Sequence, residues 1–131
     1  MKILAIDPGT RRTGYAVFEI TKAAHRMSEC GVVFVKGKDL PERLLSVHRG
    51  IERLFRRHRP RHVVIESPFV GKNKASALAL TSARAVCMLA AAAAGSRVFN
   101  YAPTQIKRAV TMNGLSGKND VARGVQLLLG L

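Results

Sequence analysis

The stretch of sequence that decides the fold is MKILAIDPGTRRTGYAVFEI, residues 1–20. Residues 2–6 are apolar and favour a β-strand, and Asp7-Pro8-Gly9-Thr10 ends that strand in a turn. Residues 14–20 have the same strand character, and a similar run occurs at residues 30–35. The first third of the chain therefore predicts three strands joined as antiparallel hairpins, with an acidic residue directly after the first strand.

The rest of the chain alternates between helical and strand patterns. Apolar residues recur at helical spacing after residue 40, and Pro60 is placed to follow the end of that helix. Three strands followed by alternating helices and strands predict one α/β domain over residues 1–131, with a five-stranded mixed sheet flanked by helices. The elements predicted from these patterns are helices at 41–58, 75–94, 103–111 and 118–129 and strands at 61–66 and 98–101.

The composition is strongly basic. Twenty-two Lys and Arg residues against eight Asp and Glu residues give the chain a net charge of +14. This imbalance argues against an ordinary neutral metabolic enzyme and favours a polyanionic partner, for which nucleic acid is the commonest candidate. Residues 53–61 form a basic run, and we expect part of it to follow phosphates and part of it to be a solvated face.

The sequence predicts a soluble, cytoplasmic protein without membrane contact. Cys30 and Cys87 stand alone in apolar surroundings, which indicates two buried thiols in a reducing compartment. The longest purely apolar run, residues 85–94, is shorter than the roughly 20 residues that a membrane helix needs. Asp7 falls where a secretory signal peptide would require an apolar residue.

Two acidic residues carry the chemistry that the sequence suggests. Asp7 follows the strand 2–6, and Glu66 ends the strand 61–66. If these strands are parallel neighbours, both carboxylates emerge at one edge of the sheet, where ligands of α/β proteins collect. Two such charges repel each other unless a proton or a cation lies between them, and Mg²⁺ or Mn²⁺ suits oxygen ligands. Singly, each acid would more often be structural; together, on a basic chain, they predict metal-assisted phosphodiester hydrolysis.

A longer series of motifs supports a family assignment. Asp7-Pro8-Gly9-Thr10 with Thr13-Gly14-Tyr15, Ile65-Glu66 with Phe69, Lys72-Asn73 with Ser76-Ala77-Leu78, and Tyr101-Ala102-Pro103 with Gln105-Ile106-Lys107 resemble the motifs of the RuvC family of Holliday-junction resolvases, in the same order. The resemblance implies a ribonuclease-H-like fold and a homodimeric nuclease that uses two Mg²⁺ or Mn²⁺ ions. It also implies symmetric cutting of four-way DNA junctions in recombination and repair, with branch-migration motor proteins as partners.

The resemblance also implies roles for individual residues. Asp7 would bridge the metal ions, and Glu66 would hold one of them. Lys107 and Lys118 would support phosphate binding and the charge of the transition state, although isolated helix lysines are more often simply solvated.

The loop after Glu66 would contact the junction. Phe69 would insert among unstacked bases, and Lys72 and Lys74 would bind DNA beside it. The alternative for Phe69 is a hydrophobic staple at the start of the helix 75–94.

We expect the helix 75–94 to form the contact between two copies of the chain. Its second half is apolar on all sides, and small residues would let a partner helix approach closely. The alternative is a helix that lies wholly inside one core. The small residues are Ala75, Ala79, Ala83, Ala90 and Ala94.

One departure from the family pattern leaves other functions open. Family members carry two further acidic-site residues on a final helix, whereas the last acidic residue here is Asp120, which we expect to complement a helix dipole. A cut chain, a further tail or a degenerate homologue would each give this sequence. The alternatives are a junction-binding module without catalysis, another ribonuclease-H-like nuclease such as an rRNA-precursor processing factor, and a basic RNA-binding protein of ribosomal type.

Overall fold

A computed structural model gives the structure of the chain and describes residues 1–67, 71–102, 104, 105, 108 and 117–129. Its five strands form one sheet in the order β3-β2-β1-β4-β5. β1 pairs antiparallel with β2 and parallel with β4, which confirms the predicted five-stranded mixed sheet and the α/β class. In chain order the elements are β1 (Lys2–Asp7), β2 (Arg12–Ile20), β3 (His25–Phe34), α1 (Leu40–His58), β4 (His62–Glu66), α2 (Lys74–Ala93), β5 (Arg97–Tyr101) and α3 (Lys118–Leu129).

Most predicted boundaries lie within two residues of the observed ones, and β3 is the exception. It begins at His25, five residues before the predicted start. Residues 25–29 have little apolar pattern, which is why the sequence did not predict them as strand. β3 is the edge strand of the sheet, and backbone pairing with β2 holds these residues. The helix predicted at 103–111 lies mostly outside the described residues.

The core lies between one face of the sheet and the helices α1 and α2. Alternate residues of β1 and β4, such as Leu4 and Ile65, are fully buried on this face because strand side chains alternate between the two faces. α1 and α2 each contribute one apolar stripe to the same cluster. The buried residues from the helices are Val47, Ile51, Leu54, Phe55, Cys87, Ala90 and Ala91.

α2 is, among the described helices, the one whose length and hydropathy would also suit a membrane span. Small buried residues of α2, including Ala83 and Ala91, line its packing against the core. The core helix of a folded domain has the same apolar composition.

The two cysteines differ in their surroundings. Cys87 is buried in the core, and this burial raises the pKa of its thiol to about 12. Cys30 is exposed, so the prediction of two buried thiols is wrong for Cys30. It projects from β3 on the face opposite to α1 and α2, whereas the apolar residues around it in the sequence had suggested burial in the core.

Gly50 lies where α1 packs tightly against β3. A Cβ atom at this position would overlap Cγ1 of Val33 on β3. Because Val33 has a stiff, branched side chain that is partly buried against the core, it cannot move away cheaply.

We predict that Gly50→Ala lowers the free energy of unfolding by about 1–2 kcal/mol, because overpacking outweighs the better helix propensity of alanine. Denaturant unfolding of Gly50→Ala, Val33→Ala and the double variant measures this. The double variant should be more stable than the sum of the single effects predicts. A Gly50→Ala protein that is more stable than the wild type would contradict the packing described.

Candidate active site

Two carboxylates meet at one edge of the sheet. β1 and β4 are parallel, with Ile6 beside Ile65, and the next residues along the two strands are Asp7 and Glu66. Neighbouring strands lie about 4.8 Å apart, so the two backbones bring these carboxylates side by side. Since Ile6 and Ile65 point into the core, the alternation of side chains places Asp7 and Glu66 together on the opposite face.

The two carboxylates border an open groove of about 510 Å³, which we call the carboxylate groove. Its floor is made of small and apolar residues of the sheet, among them Ala5, Ala16 and Val64. Gly14 lies directly opposite Asp7 in the β1–β2 pair, and a Cβ atom there would lie 3.7 Å from the Asp7 Cβ. A larger side chain at position 14 would therefore fill the space beside the Asp7 carboxylate.

The turn that follows Asp7 is fixed by Gly9 and Thr13. A Cβ atom at Gly9 would overlap the carbonyl oxygen of Arg12, so this turn requires glycine. The hydroxyl of Thr13, which is fully buried, donates to the Gly9 carbonyl over 3.1 Å and accepts from the Gly9 N–H over 3.3 Å. These two hydrogen bonds hold the turn against the start of β2 and limit how far the end of β1 can move.

The donor set fits a hard divalent cation. Asp7 is exposed and Glu66 is half-buried, so both offer oxygen ligands that an ion could reach from solvent. Within the described ranges, no group of three or more His, Cys, Asp or Glu residues is placed to hold a metal ion. The described residues therefore offer two carboxylates here, and Mg²⁺ commonly takes its remaining ligands from water and from substrate phosphates.

The start of α2 supplies positive charge near this edge. α2 follows β4 in the chain, and its N-cap Asn73 accepts a hydrogen bond of 3.1 Å from the Ser76 N–H. Lys72 and Lys74 flank this cap and are exposed, and the first turn contains no acidic residue. The helix dipole and the two lysines together favour an anion such as a phosphate.

Lys118 is a further predicted site residue that the structure describes. It is the exposed first residue of α3. Phe69 and Lys107 lie outside the described residues. The structure thus brings together the two predicted carboxylates.

Tyr101 is a neighbour of the site to which sequence analysis assigned no role. It pairs with Glu66 in the register of β4 and β5, and its carbonyl accepts a hydrogen bond of 2.9 Å from the Ser67 N–H. Tyr101 is 43% exposed on this same edge. A third strand that ends in a polar side chain was the signal in the sequence, but only the pairing shows that this strand lies next to Glu66.

Comparison with known proteins identifies the family. The family model described as crossover junction endodeoxyribonuclease RuvC matches residues 3–131. The chain belongs to the RuvC family. The RuvC of Chromohalobacter salexigens is 43% identical over 98% of this chain and 69% of its own length. The RuvC of Geotalea uraniireducens is 41% identical, over 100% of this chain and 77% of its own.

A solved structure agrees with this assignment. The structure of Thermus thermophilus RuvC in complex with Holliday junction substrate has a TM-score of 0.88 and 29% identity to this chain. The match covers 100% of this chain and 81% of the other. The resemblance to the RuvC family and the ribonuclease-H-like fold that it implied are therefore confirmed.

We predict that Thr13→Val destabilises the protein by about 1–3 kcal/mol, because the part-buried Gly9 N–H and carbonyl lose their partner. Thr13→Ser keeps the hydroxyl and should retain most of the stability. Denaturant unfolding of the two variants separates the lost hydrogen bonds from the changed packing. Equal losses in both variants would show that the hydroxyl does not fix the turn.

Proposed function

We propose that this RuvC-family chain is a metal-dependent, structure-selective endonuclease that cuts four-way DNA junctions by symmetric phosphodiester hydrolysis. The observation that carries the proposal is the pair Asp7 and Glu66, brought side by side at the sheet edge of a strongly basic chain. The related Thermus thermophilus protein was solved in complex with Holliday junction substrate, which supports the same class of substrate here.

In this mechanism Asp7 and Glu66 hold the divalent cations, with two Mg²⁺ or Mn²⁺ ions expected from the family resemblance. When bound, these ions would polarise the phosphodiester and activate a water molecule as the nucleophile. Asp7 projects at the open end of β1, where Gly14 leaves room for the substrate phosphate. Without a bound cation, the two negative charges would repel that phosphate.

The cations of the chain would supply binding. Lys72 and Lys74 at the start of α2 would attract the DNA backbone next to the carboxylates. Lys107 and Lys118 would stabilise the charge that develops on the phosphate, and Phe69 would enter the junction between unstacked bases. The roles of Lys107, Lys118 and Phe69 rest on the family resemblance.

Family membership favours this function over the other interpretations of the sequence. Neither a processing factor for rRNA precursors nor a ribosomal RNA-binding protein is supported by the match over residues 3–131. A junction-binding module without catalysis would share the fold, so a cleavage measurement decides between them. A cytoplasmic location, expected from the sequence, and branch-migration motor proteins as partners, expected from the resemblance, are part of the proposal.

We further propose that the chain forms a homodimer through α2. Leu78 and Leu89 are 69% and 65% exposed, and with Ser82 and Ala85 they are spaced by four, three and four residues. This spacing aligns the four side chains along one side of the helix, as in the seam of paired helices. Burying two such leucines against a second copy would remove a large apolar surface from water.

The predicted alanine stripe is partly wrong. Ala83 and Ala90 are buried in the core of their own chain, so they cannot contact a partner. Their small size instead lets α2 pack closely within the domain. The exposed seam runs along another side of the same helix.

We predict that Asp7→Asn and Glu66→Gln each lower the cleavage of a four-way junction by at least about a hundredfold, since each loses a carboxylate that holds the cations. Binding of the junction should stay equal or become tighter, because a negative charge near the phosphates is removed. Single-turnover cleavage with Mg²⁺ or Mn²⁺ and competition binding against linear duplex measure the two effects, on protein of known intact mass.

Asp120→Asn is the matched control for these variants. It removes one negative charge from the first turn of α3 and should leave cleavage unchanged. Substantial cleavage by Asp7→Asn would show that the metal is held elsewhere. Equal affinity of the wild type for the junction and for linear duplex would contradict structure-selective binding.

We predict that Leu78→Ser with Leu89→Ser weakens the dimer so that the protein sediments as a monomer at tens of micromolar, roughly the range of weak association. Leu127→Ser is the control, because Leu127 on α3 is also strongly exposed but lies outside the seam. A wild-type protein that is already monomeric at this concentration would rule out the dimer. An unchanged dimer in the double variant would place the interface elsewhere.

A further inference from the structure

A second groove, of about 550 Å³, lies between the end of β3 and the first half of α1. Three cations border it, Lys36 from the loop after β3 and Arg49 and Arg53 from successive turns of α1. Leu45 contributes apolar surface, and Glu42 is its one acidic residue. We call this feature the arginine groove.

The three cations of the arginine groove are available to a ligand. Lys36, Arg49 and Arg53 are exposed, and none of them forms an ion pair with a described residue. Glu42 is already engaged, since its Oε2 accepts a hydrogen bond of 2.8 Å from the Lys38 N–H. The groove therefore carries an excess of positive charge that nothing in the described part of the chain neutralises.

The neighbouring arginines of the basic run are used differently. Arg56 pairs with Glu52 at 2.9 Å, one turn away on α1. Arg57 pairs with Glu29 at 3.1 Å, and a hydrogen bond from Tyr15 helps to lower the pKa of that glutamate. Arg53 faces the groove and forms no such ion pair with a described residue, whereas Arg56 and Arg57 are bound to acidic residues of the same chain.

The arginine groove starts at the same edge of the sheet as the carboxylates. Phe34, the last residue of β3, pairs with Arg12 at the start of β2, whose guanidinium lies 5.8 Å from the Phe34 ring centre. The antiparallel order places these ends at the edge where β1 ends in Asp7. α1 begins there and runs away from it, which carries Arg49 and Arg53 about 14 and 20 Å along the helix from Leu40.

We propose that the arginine groove binds the phosphate backbone of one duplex arm of the junction, at a distance from the phosphate that is cut. The inference rests on the proposed function, because it assigns a further contact to the same substrate. Arg49 and Arg53 are about 6 Å apart along the helix axis, close to the rise of two base pairs. At about 3.4 Å per base pair, a contact 20 Å from the edge falls about six base pairs along the arm.

Charge and continuity favour DNA over an acidic protein segment as the occupant. The groove begins next to Phe34 and Arg12, at the end of the sheet where β1 ends in Asp7. Three flexible cations suit phosphates that are spaced along a backbone. Phe34 and Leu45 supply the apolar part of the lining, and they border the same groove as the arginines, whose aliphatic stems can cover such surface.

The test neutralises both partners of the proposed contact. A junction carries uncharged methylphosphonate linkages four to six base pairs from the cleavage site, and the protein carries Arg49→Ala with Arg53→Ala. We expect each change alone to weaken binding on the order of tenfold, and the second to add little once the first is present. The arginine variant should also lower the salt dependence of binding by about two phosphate contacts per protomer.

The control pair is Lys22→Ala with Arg26→Ala. Lys22 lies in the β2–β3 turn and Arg26 at the start of β3, at the opposite end of the sheet. Replacing both residues removes the same two positive charges. Binding of the junction by this control variant should remain sensitive to the methylphosphonates. If the losses caused by the methylphosphonates and by the Arg49→Ala, Arg53→Ala variant add, the arm contact is overturned. Unchanged binding in that variant would also overturn it and would leave an acidic protein segment as the occupant. A wild type without preference for junctions over duplex would instead overturn the proposed function.

Discussion

The parallel pairing of β1 with β4 is the constraint on which the site depends. Two carboxylates would not approach each other by themselves, because like charges repel. Their strands are held in register by burial, since Ile6 and Ile65 must both point into the core. A slip of one residue would turn every buried side chain of a strand outward and carry its terminal carboxylate to the other face. The hydrophobic core therefore supplies the free energy that keeps Asp7 beside Glu66.

The sequence predicted the elements whose apolar pattern reports burial. β1, β4 and α1 pack their apolar residues in one core, so their periodicity gave correct positions. The first half of β3 was missed because backbone pairing at an edge needs no apolar pattern. Cys30 was misplaced for a related reason, since its neighbours in sequence alternate between two faces and only one of these faces is covered by α1 and α2.

The sequence likewise predicted some residues of the candidate site and not others. Asp7 and Glu66 could be found from the sequence because each directly follows a buried strand. Tyr101 and Gly14 could not, because their relation to the carboxylates depends on which strands are neighbours and in which register. The basic run posed a similar problem, since identical arginines at adjacent turns of α1 differ only in whether an acidic residue faces them.

The fold separates the cations of the arginine groove from the two carboxylates. The carboxylates lie at the end of β1 and β4, whereas Arg49 and Arg53 lie about 14 and 20 Å along α1 from that edge. Because this separation exceeds the Debye length of about 8 Å at physiological ionic strength, the two groups hardly influence each other through solvent. A chain of net charge +14 can therefore attract DNA with its outlying cations and still concentrate negative charge where we propose that the metal binds.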